Sequence, residues 1–144
     1  MKKLAAYRIP CMLTLLIALS ACSTTREQMR PDARERDRFH IDLPYTTVVA
    51  NFVRRGQDCY HGGLPASYFV IEKSEPAPGQ SAIVEVVQYG LARRVMVSAD
   101  ITSAPSGSDI IYYVNPNFSI FVTFKPVMME WAQGTGTSCG QLLD

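Results

Sequence analysis

The sequence lacks an uninterrupted apolar run that is long enough to cross a bilayer as a permanent helix. The apolar stretch near its N-terminus, residues 11–19, has nine residues, whereas a membrane-spanning helix needs about 20. Strong charge of one sign is also missing, because 14 Lys and Arg residues nearly balance 13 Asp and Glu residues. Bulk charge therefore gives no sign of nucleic-acid binding or of attraction to an acidic substrate.

Several signatures of common catalytic and nucleotide-binding sites are absent as well. There is no G-x-x-x-x-G-K phosphate loop, G-x-G-x-x-G fingerprint or H-E-x-x-H helix, and no internal repeat. Histidine occurs only twice, at His40 and His61, and His40 lies in a strand-like segment where a structural role is favoured. We therefore predict a noncatalytic protein without a cofactor, apart from any covalently attached lipid.

The N-terminus has the three parts of a secretory signal peptide. Three basic residues (Lys2, Lys3 and Arg8) precede the apolar stretch 11–19, and the small residues Ser20 and Ala21 follow it. An ordinary signal peptidase cut after Ala21 would account for these features alone. Leu19 and Cys22, which lie on either side of Ser20 and Ala21, favour a more specific kind of signal peptide.

Leu19-Ser20-Ala21-Cys22 resembles the lipobox of bacterial lipoprotein precursors. The resemblance implies that the lipoprotein signal peptidase recognises Leu19, Ser20 and Ala21. It also implies that Cys22 carries a thioether-linked diacylglycerol and usually an N-acyl chain. Two or three acyl chains anchor a protein stably, whereas one chain holds it only marginally. Because Ser23 rather than Asp follows the cysteine, the resemblance further implies the outer membrane of a bacterial envelope, facing the periplasm.

Cleavage would leave residues 22–144, with 11 basic and 13 acidic residues, enough for one domain but not for two. Residues 22–37 are densely charged, and Met29 is their only large apolar side chain. We therefore predict a flexible tether over 22–37 with a reach of about 20 Å and a single globular domain over 38–144. The tether's arginines are either solvated, which is favoured, or in contact with anionic lipid or peptidoglycan.

The hydrophobic pattern of 38–144 predicts an α+β domain. Residues 38–42 resemble a short strand, and an apolar stripe from Tyr45 to Val53 predicts a helix with Asp42 as its cap and Gly56 just after its end. Four strands follow, at residues 67–73, 81–89, 93–101 and 109–114. In the third of these, Val95, Val97, Ala99 and Ile101 alternate with polar residues, which predicts an antiparallel sheet with one solvated face.

The last apolar segment is open to two interpretations. Helical spacing favours a helix over residues 117–133, kinked near Pro126 and ending at Gly134. The alternative is a fifth meander strand through Phe124 with a helix beginning at Pro126. The favoured order, β-α-β-β-β-β-α, gives a two-layer antiparallel sheet with two helices on one face. It resembles helix-grip-like α+β domains of several envelope lipoproteins, in element order only.

Removal of Cys11 and lipidation of Cys22 would leave two cysteines, Cys59 and Cys139. An exported chain most often pairs such cysteines, so we predict a disulfide between them. Two more specific chemical roles for Cys59, as a nucleophile and as a zinc ligand, are less favoured. Cys59 beside Asp58 and His61 is a nucleophile–base arrangement only if the base reaches the sulfur, and Cys59, His61 and Cys139 match no standard zinc spacing.

Three classes of function follow from these residues. The favoured one is a lipid-anchored envelope protein that binds another envelope protein or the cell wall. The second is a binder of a small apolar ligand in a groove between sheet and helix, and the third is an enzyme that uses Cys59 and His61. The glycine-rich segment 61–65 is a further candidate surface. Aromatic side chains of the C-terminal third are expected mainly in the core: Tyr112, Tyr113, Phe118, Phe121, Phe124 and Trp131.

The lipidation prediction is tested by expressing Cys22→Ala with labelled fatty acid. Because the thioether requires the cysteine sulfur, we expect the variant to lose the label and to leave the membrane fraction. A variant that keeps the label, or still partitions with membranes, would show that Cys22 is not the anchor.

Overall fold

The computed structural model describes residues 24–60, 63–64, 66–117 and 124–139. The signal peptide predicted over residues 1–21 and the lipidation residue Cys22 lie outside the described residues. Among the helices that are described, none is sufficiently long and apolar to cross a membrane.

Within the described ranges, six antiparallel strands form one sheet in the order β1-β6-β5-β4-β3-β2. Short turns join β3, β4, β5 and β6 into a meander, since connections of this length cannot hold crossover helices. The predicted α+β fold with an antiparallel sheet is therefore confirmed. The strands are β1 Glu35–Ile41, β2 Gly63–Leu64, β3 Ser67–Ala77, β4 Ser81–Tyr89, β5 Arg94–Ala104 and β6 Gly107–Val114.

Two helices, α2 (Tyr45–Cys59) and α3 (Phe124–Gln133), cover one face of the sheet, which we call the inner face; a third, α1 (Arg26–Met29), precedes β1. Trp131 lies at the centre of the layer between sheet and helices, with ring centroids 6.1 Å from Phe52 and 5.9 Å from Tyr60. Tyr112 and Phe124 are also buried there. The predicted core role of these aromatic residues agrees with their positions, whereas Phe118 and Phe121 lie outside the described residues.

The ends of α2 differ from the prediction. Pro44 occupies the N-cap position without a side-chain cap, and Asp42 instead contacts the Nε2 atom of His40 at 3.2 Å. Gly56 lies inside the helix rather than after it. A Cβ atom at Gly56 would lie 2.8 Å from Cδ1 of Ile71, so the glycine here permits close packing of helix on sheet, and α2 continues to Cys59.

The described part of α3 begins at Phe124 and ends before Gly134, whose φ of 70° suits glycine. The segment 118–123, on which the helix and strand interpretations differed, lies outside the described residues. Pro126 is in the first turn of the described helix, where a missing N–H costs little. The carboxylate of Glu35 in β1 accepts the backbone N–H groups of Phe124 and Lys125, both at 3.0 Å.

The outer face of the sheet is not solvated at its centre, contrary to the prediction. A β-bulge between Val86 and Val87 shifts the alternation of β5, so that Val95 lies on the outer face instead of sharing the inner face with Val97. Val87 and Val95 are both fully buried. The residue that covers them is Met29, which is only 1% exposed.

Met29 belongs to residues 24–34, which we call the N-terminal strap. The N–H of Thr24 donates to the carbonyl of Arg93 (3.1 Å), the N–H of Val95 donates to the carbonyl of Thr24 (3.3 Å), and the N–H of Arg34 donates to the carbonyl of Val114 (2.9 Å). The flexible tether predicted over 22–37 is therefore wrong for residues 24–37. They form the strap and the first part of β1.

Ion pairs explain why so charged a segment packs on the sheet. Arg26 reaches both carboxylate oxygens of Asp100 at 2.7 Å, and Arg30 contacts the same carboxylate. The guanidinium groups of Arg30 and Arg36 lie over the ring of Tyr113, 4.8 and 5.3 Å from its centroid. Arg26, Arg30 and Arg36, which made the segment resemble a solvated spacer, thus have partners on the outer face.

Met29→Ala tests the strap. Removing a fully buried methionine side chain typically costs about 2–5 kcal/mol, so we expect the free energy of unfolding in urea to fall by about 2–4 kcal/mol. The exposed neighbour Glu27 provides the matched control, since Glu27→Ala should change it by less than about 0.5 kcal/mol. Equal, small effects from both variants would mean that residues 24–34 are a tether after all.

Candidate functional site

A groove of about 430 Å³ lies between α2 and β3, and we call it the α2–β3 groove. The apolar part of its wall comes from Tyr45, Val49, Ala50 and Val53 of α2, because successive turns of a helix bring positions three and four apart to one side. The facing wall is Lys73 and Glu75 of β3, whose side chains form an ion pair at 2.9 Å. Its volume and mixed lining suit a small ligand or a short stretch of peptide.

The β3 strand is open along much of the side away from β4. The two residues of β2 pair only with Ser67 and Tyr68. In the described part of the chain, residues 69–77 of β3 therefore have a strand neighbour on the β4 side alone. The end of this edge is protected by a bulge between Ser74 and Ala77 and by Pro76, two devices that prevent edge-to-edge pairing. Residues 69–73 are a regular stretch of this edge and have no strand on that side among the described residues.

Tyr45 lines the groove, and its buried hydroxyl has no hydrogen-bond partner among the described residues. Tyr45 is 7% exposed, and burial, with the nearby charge of Glu75 adding to it, raises the pKa of this hydroxyl. A buried hydroxyl without a partner costs roughly 1–3 kcal/mol. A bound group that accepts its proton in a hydrogen bond would remove that cost.

Cys59 and Cys139, the two cysteines predicted to form a disulfide, lie next to each other in the fold. Cys59 and Cys139 lie at disulfide-bonding distance, with Cα atoms 5.2 Å apart. Tyr60 donates a hydrogen bond to the carbonyl of Cys139, and the indole N–H of Trp131 donates to the carbonyl of Ser138 at 3.1 Å. The C-terminal tail is therefore held against α2 and the end of α3.

This arrangement argues against both chemical interpretations of Cys59. A sulfur in a disulfide is neither a thiolate nucleophile nor a zinc ligand. His61, which both interpretations need, lies outside the described residues, as do Gly62 and Pro65 of the glycine-rich segment. Among the described residues, no group of three His, Cys, Asp or Glu side chains is placed to hold a metal ion.

One cluster resembles a catalytic triad in its distances. His40 lies with Nδ1 2.9 Å from Asp109 and Nε2 3.4 Å from the hydroxyl of Ser106. The same Nε2 atom is also 3.2 Å from Asp42. A carboxylate at each ring nitrogen raises the pKa of His40, with the hydrogen bond to Asp109 as the main cause. The cluster is an exposed network of hydrogen bonds and ion pairs around His40.

A second charged network lies on the outer face of the sheet. Arg93 contacts Glu72 at 2.7 Å and Glu85 at 3.1 Å, and Tyr89 donates a hydrogen bond to Glu72. The hydrogen bond from Arg93 lowers the pKa of Glu72, whereas burial raises the pKa of Glu85. The network joins β3, β4 and the turn before β5 beside the strap.

No protein-family model matches the chain, and no curated protein or solved structure matches it either. The predicted lipobox, Leu19 to Cys22, lies outside the described residues. The α2–β3 groove was not found by sequence reasoning, which placed a groove only generally between sheet and helix. The signal available in the sequence was the charge and proline on one strand-like segment, Lys73 to Pro76, which is typical of a sheet edge.

The His40 cluster gives a pH prediction. Because the pKa of His40 is raised in the folded chain, the cluster stabilises the fold fully below about pH 6.5, the unperturbed value. That contribution is lost as the pH rises through the folded-state pKa. In an NMR titration, Asp109→Asn should lower the pKa of His40 more than Asp42→Asn does. A pKa of His40 below about 6.5 in the unaltered protein would contradict the cluster.

Proposed function

We propose that the chain is a lipid-anchored protein of the bacterial envelope, noncatalytic, that binds an extended segment of another envelope protein in the α2–β3 groove. Anchoring is supported by the resemblance of Leu19-Ser20-Ala21-Cys22 to a lipobox. Export to an oxidising compartment is supported by the disulfide distance between Cys59 and Cys139. The available edge of β3 beside an apolar helix wall is the observation that carries the binding proposal.

A peptide suits this place because strand edge and helix wall offer different kinds of contact. The edge at residues 69–73 offers backbone groups to an added strand, which give affinity with little dependence on sequence. The helix side offers Val49, Ala50 and Val53 to alternate side chains of that strand, which gives selectivity. The Tyr45 hydroxyl offers a hydrogen bond that the described residues leave unmade.

A small apolar ligand in the same groove is the second candidate. The groove's volume of about 430 Å³ and its apolar helix wall support it. The interior between sheet and helices is a poorer site, because it is filled by the largest fully buried side chains, among them Trp131, Tyr112 and Phe52. Both candidates therefore use the same walls, and they differ in what is bound.

Photo-crosslinking in intact cells tests the proposal. A photoreactive amino acid at Lys73, in the groove, is compared with one at Thr47, which is exposed on α2. We expect a discrete protein adduct at position 73 that is absent at 47, with the linked atoms confined to one short segment of the partner. A lipid or metabolite adduct at 73 would instead support the second candidate.

Substitutions that fill the groove provide the matched control. Ala50→Arg places a long charged side chain in the groove and should remove the adduct at position 73. Thr47→Arg adds the same side chain to the same helix but outside the groove, and should leave the adduct intact. The binding proposal fails if position 73 gives no adduct, or if Ala50→Arg and Thr47→Arg have the same effect.

A further inference from the structure

We propose that the end of the domain formed by the β2–β3 and β4–β5 turns rests directly on the bilayer surface, beside the acyl chains of Cys22. We call it the bilayer-proximal end and define it by Leu64, residues 66–68 and residues 90–94. The inference rests on the anchoring part of the proposed function. It adds an orientation and a second contact with lipid.

The two turns lie side by side. Leu64 pairs with Ser67 in the short β2–β3 ladder, and a Cβ atom on Gly90 would be 3.3 Å from the carbonyl oxygen of Ala66. Residues of both turns line one shallow depression, which includes Ser67, Gly90 and Leu91. The β4–β5 turn and the start of β3 therefore form one continuous surface.

Exposed apolar side chains are concentrated on this surface. Among the described residues only four large apolar side chains are exposed, and three of them, Leu64, Tyr68 and Leu91, are here. Leu91 is fully exposed and Leu64 is 75% exposed. Tyr68 stacks on Tyr89 with ring centroids 5.6 Å apart, and the neighbouring Arg94 is exposed. Leucine that enters lipid, tyrosine at the interface and an arginine near anionic head groups suit a bilayer surface.

The course of the strap identifies the bilayer as the occupant. Thr24 is bonded on both sides of Arg94 in the β-bridge to β5, three residues along the chain from Leu91. Only two residue steps separate Cys22 from Thr24, and two extended residues span at most about 7 Å. The predicted tether had a reach of about 20 Å and left the orientation free. With the strap docked, lipid on Cys22 must enter the membrane close to Leu91.

The same geometry directs the α2–β3 groove away from the membrane. Strand β5 has 11 residues, so its two ends are about 33 Å apart. The β5–β6 turn, with Ser106, is at the far end, and Tyr45 and Thr46 lie near that turn. A domain that rests on its bilayer-proximal end thus presents the end of the groove at Tyr45 and Thr46 to the periplasmic side.

The test uses the full chain, processed and lipidated, in vesicles of phosphatidylcholine and phosphatidylglycerol with a nitroxide on the head group. An environment-sensitive fluorophore is attached in Leu91→Cys and, as the matched control, in Ser106→Cys. We expect a blue shift and severalfold stronger nitroxide quenching at position 91 than at 106. Leu64→Cys should behave as Leu91→Cys does, so the result does not depend on one variant.

Equal quenching at 91 and 106, or stronger quenching at 106, would overturn the orientation. A label at 91 that is shielded from an aqueous quencher but not quenched by nitroxide lipid would overturn it too, because a protein would then cover this end. Mass spectrometry of the N-terminal peptide separates the two proposals. An acylated Cys22 with an unquenched label leaves the anchor intact and removes only the orientation, whereas an unmodified Cys22 removes both.

Discussion

Burial of the apolar patch on the outer face of the sheet is the constraint on which the rest of the structure depends. The bulge shifts Val95 of β5 onto this face, beside Val87 of β4, and α2 and α3 cover the other face. Burying three such side chains contributes on the order of 1.5–3 kcal/mol each. Met29 is the apolar residue that the strap supplies for this purpose. Once it is docked, Arg26 and Arg30 reach Asp100, and the chain enters β1 beside β6.

The strap also leads into the strand that holds one end of α3. β1 continues directly from the strap, and Glu35 and Asp37 hold the described start of α3, through its backbone N–H groups and through Lys125 at 2.6 Å. At the other end of α3 the chain returns to α2, where Cys59 and Cys139 meet. Helix α3, which carries the central Trp131, is thereby tied to β1 at one end and to α2 at the other. A domain held in this way is a rigid support for a binding edge.

The sequence predicted well what depends on local pattern and poorly what depends on distant partners. The meander was predicted from alternation and turn residues, with β4 at its observed bounds. The sequence analysis placed Gly56 after the end of α2, whereas it lies inside the helix. Glycine is needed there because Ile71, which is 15 residues further along the chain, packs against it. The sequence did not indicate that Glu35 accepts the N–H groups at the described start of α3, or that Met29 is buried. Both residues lie in a charged segment, and the composition of such a segment predicts a solvated chain. The open edge of β3 could not be predicted, because it depends on how far β2 extends along β3.

The most direct test of the account is hydrogen exchange of the strap in the mature chain. The N–H groups of Met29 and Arg30 donate to the carbonyls of Thr25 and Arg26, both at 3.0 Å. An isolated helix of four residues is not stable in water, so these two amides can be protected only if the strap is docked. We predict protection of both, comparable to that of the first residues of β1. Exchange of both at the rates of an unstructured peptide would contradict a docked strap and, with it, the orientation on the membrane.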